Sequence, residues 1–354
     1  MSGASGLSGR TSVTARGAIA QIGFGYWGPN LARNLGTLAG TRWRYLVDLD
    51  ADRRSQAAAL YPRVDITDDL DRVLGDADVA AVVVATPAAS HARLARLALE
   101  AGKHVFVEKP LALSTEDAVG LARLSDDRGL VLMVGHTFEF NPAVRAMKDL
   151  IDAGDIGDVL YLHSQRLNLG RIQSDINAFW SIGPHDVSIA NFLLGLAPEW
   201  AAARGARYLN DSVEDVMFVT VGYPGGAMAQ MHVSWLDPSK TRRTTVVGSK
   251  KMLVYDDTEP AAKLRIYDKG ADRLEPDASG PWQYRLRDGD VHVPSLPTVE
   301  PLATELGHFI DCIDRGTTPA VDGWNGARTV AVLEAVDESL RSGGERVPVA
   351  TVGK

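Results

Sequence analysis

Hydrophobic and polar positions along the first 140 residues follow a strand period and a helix period in turn. A short apolar run at 18–23 stops at a glycine, and residues 27–38 then repeat apolar positions at helical spacing. The alternation continues, with strands at 43–47, 79–85, 105–107 and 130–135 and helices at 52–60, 69–74, 90–101 and 115–128. The run at 79–85 is apolar throughout, which is typical of a parallel strand buried on both faces. We expect a doubly wound α/β domain of the Rossmann type over residues 18–140.

The pattern changes at Asn141-Pro142. A helix at 143–153, a strand at 159–166 and a helix at 185–194 precede strand-like segments at 200–208, 216–223, 227–235, 241–247, 251–255 and 264–267. Consecutive strands without intervening helices predict a mostly antiparallel sheet. Helices at 301–315 and 326–341 follow, so residues 141–354 are expected to form an α+β domain whose last helices can pack back on the first domain.

Composition narrows the class of protein. The 354 residues are 45% apolar, and 37 Lys and Arg against 45 Asp and Glu give a net charge of −8, which disfavours nucleic acid or an anionic membrane as the main partner. No apolar run reaches the roughly eighteen residues of a membrane span. The single cysteine, Cys312, excludes an internal disulfide and fits a reducing, cytoplasmic location. Met1–Gly17 is rich in Gly, Ser and Thr and lacks the apolar core of a secretory signal, so we expect a disordered leader there.

A glycine motif between the first strand and the first helix indicates a dinucleotide site. Gly23-Phe24-Gly25-Tyr26-Trp27-Gly28 has the spacing G-x-G-x-x-G. The first glycine permits a tight turn, the second lets a pyrophosphate approach the backbone, and the third lets helix and strand pack closely. The helix N-terminus then offers its amides to the phosphates.

Asp48, twenty residues past Gly28 at the end of a strand, favours NAD over NADP. A carboxylate there accepts hydrogen bonds from the ribose hydroxyls and repels a 2′-phosphate. Arg53 and Arg54 leave the alternative of a 2′-phosphate site open, although two basic residues at a helix start are more often a solvated face.

Glu108-Lys109-Pro110 supplies the candidate catalytic group. The motif follows a strand of the first domain, and the carboxyl ends of such strands face the ligand crevice. Near a positively charged nicotinamide and partly desolvated, the Lys109 amine loses its proton more readily, which suits a general base that removes an alcohol proton. The alternative is that a lysine before proline is only a surface loop residue.

Four motifs in this order resemble the Gfo/Idh/MocA oxidoreductases: the glycine motif, Ala85-Thr86-Pro87 with His91, Glu108-Lys109-Pro110 and Gly183-Pro184-His185-Asp186. The resemblance covers nearly everything after the leader. It implies an NAD(P)-binding Rossmann domain and a second domain with an open, mostly antiparallel sheet, joined through that sheet into a homodimer or homotetramer. It also implies that Lys109 is the acid/base residue with His185 as its partner, and that the other cofactor contacts are Thr86, Pro87, His91 and Glu108.

Ser181 departs from the family pattern. The family often has an aspartate four residues before the histidine, and a hydroxyl cannot supply the charge that would hold a protonated His185. Either Lys109 and His185 suffice, or Asp186 or Asp175 substitutes, or the activity is lost. Outside the motif, His185 would be read as an ordinary helix-start histidine.

Polar and aromatic residues before the histidine suggest a polyol substrate. The candidate substrate-binding residues are Arg166, Asn168, Asn177, Trp180, Ser181, His185 and Asp186. The pattern is similar to the branch of the family that oxidises nucleotide-linked sugars, often at the C3 hydroxyl. Arg166 and Arg171 suit a diphosphate, as do Lys240, Arg242 and Arg243, whose alternative is a solvated strand end.

Two functional alternatives remain open, and a third is disfavoured. A free sugar, amino sugar or inositol is the nearest alternative substrate, and either oxidation or the reverse reduction fits the site. A non-catalytic NAD(H)-binding regulator is the alternative from another class, motivated by Ser181. A metal-dependent dehydrogenase is disfavoured, because the motif regions lack cysteine and the His and Asp residues lack zinc spacing.

Overall fold

The computed structural model describes residues 17–38, 42–170, 172–209, 211–274 and 284–353. The expected leader, apart from Gly17, and Arg171 lie outside these ranges. In the first part of the chain the strands are β1 (Ala18–Ile22), β2 (Trp43–Val47), β3 (Asp65–Thr67), β4 (Val79–Val84), β5 (His104–Glu108) and β6 (Leu132–Gly135). The helices are α1 (Gly28–Leu38), α2 (Ala51–Leu60), α3 (Leu70–Gly75), α4 (His91–Glu100) and α5 (Thr115–Asp127).

The first sheet is a six-stranded parallel sheet in the order β3-β2-β1-β4-β5-β6. This order is that of a doubly wound dinucleotide-binding fold, so the Rossmann prediction is confirmed. The central strands β4 and β5 are buried almost throughout, because helices cover both faces. The order reverses between β1 and β4, and the carboxyl ends of these strands open the crevice where such folds bind ligands.

Within the described residues, the second part of the chain forms a mixed sheet of nine strands, accompanied by five α-helices. Its strands are β7 (Val159–Leu167), β8 (Trp200–Ala206), β9 (Val216–Gly222), β10 (Met228–Ser234), β11 (Thr241–Gly248), β12 (Met252–Asp256), β13 (Leu264–Arg273), β14 (Tyr284–His292) and β15 (Val347–Pro348). Its helices are α6 (Pro142–Asp152), α7 (Ala178–Ile182), α8 (Pro184–Leu194), α9 (Pro301–Arg315) and α10 (Gly323–Arg341).

The nine strands lie in the order β14-β13-β12-β11-β7-β10-β9-β8-β15. Only β7 and β10 pair in parallel among these described strands, and the other pairs are antiparallel, which confirms the predicted mostly antiparallel sheet. In the antiparallel pair β7–β11, Arg166 lies opposite Arg242 and Ser164 opposite Thr244. Paired side chains share a face, so this register decides which residues meet at the site.

The last two helices contact the Rossmann domain. Helix α9 packs against α1, where Arg33 makes two hydrogen bonds to Glu300 at 2.9 and 2.5 Å. Helix α10 packs against α5, β6 and β8, and its Trp324 indole donates to Asp126 at 2.9 Å. Helix α10 therefore contacts strands of both sheets.

Four elements differ from the expectations. The sequence pattern does not predict the strands β3, β14 and β15, and α7 lies in a stretch expected to be irregular. Strand β13 runs to Arg273, six residues beyond the expected end at Tyr267, because it pairs with β14 in a long hairpin. No helix in the described ranges is long and apolar enough to cross a bilayer.

Candidate active site

The turn between β1 and α1 has the geometry of a dinucleotide cradle. Gly23 has a φ of +99°, and a Cβ there would lie 2.5 Å from the carbonyl oxygen of Ala85. A Cβ on Gly28 would lie 2.7 Å from the carbonyl oxygen of Gly23. At Gly25 the nearest atom to a Cβ is a side-chain nitrogen of Arg53 at 3.4 Å, so this backbone faces open space apart from that arginine. The cradle fits the phosphates of a dinucleotide, because Gly23 and Gly28 let the turn pack closely and Gly25 leaves its backbone open to a ligand.

Asp48 closes one side of this cradle. One carboxylate oxygen accepts from the Phe24 amide at 2.6 Å and the other from the Asp50 amide at 2.9 Å. The half-exposed Arg53 guanidinium lies 4.0 Å from Asp48 and 3.7 Å from Asp50. Its charge is therefore shared between two carboxylates beside the expected ribose position.

Arg54 is not the solvated helix-face residue that the sequence suggests. It donates to the carbonyl oxygens of Asp48 at 2.8 Å and Leu49 at 2.9 Å, and it lies 3.0 Å from Asp68. These contacts hold the end of β2 in place, so this guanidinium is engaged by protein groups. Among the remaining glycine-motif residues, Tyr26 is strongly exposed and Trp27 partly exposed.

His91 connects the two loops that carry the other cofactor-site candidates. Its Nδ1 lies 2.7 Å from the carbonyl oxygen of Pro110, and its Nε2 lies 2.8 Å from that of Thr86. The ring is buried, and burial is the main cause that lowers its pKa below 6.5. His91 therefore ties the end of β4 to the loop after β5. Thr86 is partly buried, with its hydroxyl 2.7 Å from that of Ser90, and Pro87 is exposed.

Lys109 lies where the two domains meet. It follows β5, its peptide bond to Pro110 is cis, and its Nζ donates to the carbonyl oxygen of Ser181 at 2.6 Å. Burial lowers the pKa of Lys109 below its ordinary 10.5, with Glu108 opposing the shift and the charge of Arg166 adding to it. The hydrogen bond places the amine beside α7 and the start of α8.

Glu108 lies beneath this lysine, against Gly135. A Cβ on Gly135 would lie 3.1 Å from the carboxyl carbon of Glu108, so the absence of a side chain there makes room for the carboxyl group. Burial raises the pKa of Glu108, against the neighbouring Lys109 charge and a hydrogen bond from Trp27. Its Oε1 is buried and has no hydrogen-bond partner among the residues that the structure describes.

His185 begins α8 on the opposite wall. Its Nδ1 is buried and has no hydrogen-bond partner within the described part of the chain, and its ring packs edge-on against Phe138, with 5.0 Å between the ring centroids. Burial lowers the pKa of His185 well below 6.5, and the charges of Lys109 and Arg166 lower it further. The lowered pKa favours the neutral form of the imidazole.

Asp186 does not serve as the counter-ion of His185. Both its oxygens accept from Arg166, at 2.9 Å from Nε and 3.1 Å from Nη2, and both side chains are buried. Asp175, the other possible substitute, is exposed. The Arg166 guanidinium also stacks over Phe138, 4.5 Å from the ring centroid. Arg166 and Asp186 thus form a buried ion pair that joins β7 to α8.

Ser181, Asn177 and Trp180 are anchored by protein groups. The Ser181 hydroxyl accepts from Gln173 at 2.6 Å, and its carbonyl oxygen holds Lys109. Asn177 caps α7 and donates to Asp337 of α10 at 3.0 Å, while the Trp180 indole donates to the same carboxylate at 2.7 Å. Asn168 is partly exposed, and its backbone N–H donates to the carbonyl oxygen of Ser234 at 3.2 Å.

Three buried ionisable residues near the site are absent from the sequence-based candidates. His136 has neither ring nitrogen bonded, and burial, with the Lys109 charge, lowers its pKa to about 3. Glu305 accepts from Thr137 at 2.6 Å with its other oxygen unpartnered, and burial and then the Glu108 charge raise its pKa. Glu139 accepts from Ser188 at 2.5 Å, and burial raises its pKa to about 7.

One signal in the sequence marks Glu305: it falls on the apolar stripe of α9, among Leu302, Leu306 and Phe309. No comparable pattern marks His136 or Glu139. Within the described ranges, no group of three His, Cys, Asp or Glu side chains is arranged to hold a metal ion.

The fold and the cradle are those of a dinucleotide-binding protein. A family model described as an oxidoreductase family with an NAD-binding Rossmann fold matches residues 18–136. A model of the GFO/IDH/MocA C-terminal domain matches residues 144–254. The chain therefore belongs to the Gfo/Idh/MocA family of oxidoreductases.

Several characterised relatives act on sugars or cyclitols. The chain is 27% identical to a scyllo-inositol 2-dehydrogenase (NAD(+)) of Bacillus subtilis, over 92% of this chain and 94% of that one. It is 28% identical to a UDP-N-acetylglucosamine 3-dehydrogenase of Acidithiobacillus ferrooxidans, over 80% and 85% of the two chains. A solved structure of the latter enzyme superposes with a TM-score of 0.76 at 27% identity, over 91% and 98%. With a 2,7-anhydro-N-acetylneuraminate hydratase of Mediterraneibacter gnavus the identity is 31%, and the match spans only 57% of either chain.

Proposed function

We propose that this protein is an NAD-dependent dehydrogenase that oxidises a secondary hydroxyl of a nucleotide-linked sugar, at C3 by analogy with the relative, or reduces the corresponding ketosugar. The observation that carries the proposal is the Lys109 amine. It is held 2.6 Å from the Ser181 carbonyl oxygen, at the carboxyl end of β5, with a pKa lowered chiefly by burial. An amine that loses its proton readily is suited to take the proton of an alcohol.

Lys109 is the base in this proposal. The hydroxyl lies between Lys109 and His185, and the neutral Lys109 amine takes its proton as the carbonyl forms. A bound NAD would supply the hydride acceptor for the carbinol carbon. In the reverse direction the ammonium of Lys109 returns the proton to the forming alkoxide.

His185 orients the hydroxyl as a neutral imidazole. Its pKa is lowered by burial and by the surrounding cations, so it accepts or donates a hydrogen bond without carrying charge. Its Nδ1 has no hydrogen-bond partner among the described residues, so its hydrogen-bonding capacity is unused before a substrate binds. Ser181 contributes through its backbone carbonyl, and a serine supports this contact as well as an aspartate would.

Asp48 and Arg53 support NAD rather than NADP. The Asp48 carboxylate lies at the end of β2, where a dinucleotide ribose is expected, and a 2′-phosphate would meet its charge. The nearby Arg53 is already shared between Asp48 and Asp50, so its charge is partly balanced before any cofactor binds.

The partner of this site is a small molecule, and the oligomer is proposed to be a dimer or tetramer through the second sheet. The face of that sheet away from α8 exposes large side chains on neighbouring strands, among them Tyr161, Phe218 and Met228. A contiguous exposed apolar surface on a sheet is typical of a protein interface.

The test is NADH formation with a panel of nucleotide sugars, free sugars and inositols, compared between the wild type and Lys109→Ala. The matched control is Lys269→Ala, which removes an exposed lysine paired with Asp288. We expect turnover of a nucleotide sugar that Lys109→Ala loses and Lys269→Ala keeps. Turnover of free polyols alone would show that the substrate is not a nucleotide sugar. Tight NADH binding with no turnover in either direction would instead favour a non-catalytic regulator.

A further inference from the structure

Two arginines lie side by side on the site-facing surface of the second sheet. Arg166 of β7 and Arg242 of β11 are directly opposite in the antiparallel ladder. Side chains at paired positions share a face with Cα atoms about 5 Å apart, and like charges there are destabilising unless anions balance them. The next residue, Arg243, points to the other face and bonds Asp256 at 3.1 and 2.8 Å.

The two arginines differ in how their charges are balanced. Arg166 is buried and bonded by both oxygens of Asp186. The Arg242 side chain is 40% exposed, and its contact with Asp257 is a single long one, at 3.3 Å. Asp257 is itself shared, because it also accepts from Tyr255 at 3.0 Å and lies 3.7 Å from Lys263. Arg242 is thus the less compensated member of the pair and the one that solvent reaches.

Arg242 also faces the reacting region. Tyr255 and Asp257 alternate along the chain onto the same face as Arg242, and the Tyr255 hydroxyl accepts from Asn141 at 3.0 Å. Burial lowers the pKa of His185, and the Arg242 charge is among the cations that lower it further. The charges of Lys109 and Arg166 act on His185 in the same sense, and the Asp186 charge is already bonded to Arg166.

We propose that Arg242, with Arg166 behind it, forms an anion subsite that binds a phosphate of the nucleoside diphosphate group and so places the sugar hydroxyl beside Lys109 and His185. This inference rests on the proposed function for its substrate, but the subsite is defined by charges that any phosphate would meet. A guanidinium matches a phosphate with parallel hydrogen bonds, and it does so best where part of its surface is open and its own counter-ion is distant.

The experiment measures the binding of pyrophosphate and of UDP to the protein saturated with NADH, so that the cofactor's own phosphate site is filled. Calorimetry on the wild type, Arg242→Gln and Arg243→Gln gives the comparison. A hydrogen-bonded charge typically contributes a factor of about ten to a hundred in affinity. We expect that loss in Arg242→Gln, partial recovery in Arg242→Lys and unchanged binding in Arg243→Gln, the matched control on the opposite face.

Steady-state kinetics supply the second readout. Arg242→Gln should raise the KM for a nucleotide sugar with little change in kcat, and Arg243→Gln should not. Pyrophosphate binding that is equal in wild type and Arg242→Gln, or that falls equally in Arg243→Gln, overturns the subsite even if the protein oxidises nucleotide sugars. Conversely, Arg242-dependent pyrophosphate binding in a protein that turns over only neutral polyols supports the subsite and removes the proposed substrate.

Discussion

The buried pair between Arg166 and Asp186 can be tested by Asp186→Asn, which keeps the size of the side chain and removes its charge. Arginine stays protonated in proteins, so its guanidinium would remain charged at 8% side-chain exposure. The asparagine accepts one hydrogen bond where the carboxylate accepts two, at 2.9 and 3.1 Å. The ring of Phe138, 4.5 Å away, is the other contact that would still favour the cation.

The expected cost follows from this geometry. Removing one partner of a buried ion pair costs about 3–5 kcal/mol, and the retained bond places this variant near the lower end, at about 3 kcal/mol. For a chain of this size the urea slope is about 3 kcal/mol per molar or more, so the unfolding midpoint should fall by about 1 M or slightly less. Urea unfolding followed by tryptophan fluorescence measures the shift, at constant slope.

Two further variants separate this pair from a general effect of charge removal. Asp288→Asn removes a carboxylate from an exposed pair with Lys269, at 2.8 Å, and should leave the midpoint unchanged because solvent screens that pair. The double variant Arg166→Met with Asp186→Leu should recover most of the loss, because no charge is left buried. If Asp186→Asn moves the midpoint no further than Asp288→Asn does, the buried pair does not stabilise the fold.

Two pH dependences follow from other buried groups. Because burial lowers the pKa of Lys109 below 10.5, the kcat/KM for alcohol oxidation should rise with pH to a midpoint below that value, and Lys109→Arg, which cannot lose a proton, should lack this rise in a profile between about pH 6 and 10. Burial raises the pKa of Glu139 from 4.5 to about 7, so its ionisation should remove roughly 3 kcal/mol of stability as pH rises through that window. Urea unfolding of Glu139→Gln, measured across the same pH range, should show a smaller loss of stability than the wild type. An equal loss would assign that pH dependence to other groups.

The elements that can be predicted from the sequence are those whose own pattern determines them. The strands β4 and β5 are continuous apolar runs, and α1 and α9 carry helical stripes, so each is expected within a few residues of its observed bounds. Strand β14 is different, since its nine residues are mostly charged or exposed. It is a strand because it pairs with β13 and because Arg287 bonds Asp268 at 2.9 Å, and neither partner is visible in a local window.

The same reasoning explains which site residues the sequence can indicate. Gly23 and Lys109 lie in motifs whose spacing fixes their place relative to one strand end, so their positions follow from the local sequence alone. Trp180 meets Asp337 across 157 residues, and Arg166 meets Asp186 only because β7 and α8 face each other. Arg242 and Arg243 are the same type of residue, but they are successive residues of β11 and so point to opposite faces of the sheet. Arg242 therefore lies on the same face as Arg166, whereas Arg243 lies on the opposite face and pairs with Asp256. Which of the two faces the site depends on a register that only the folded sheet defines.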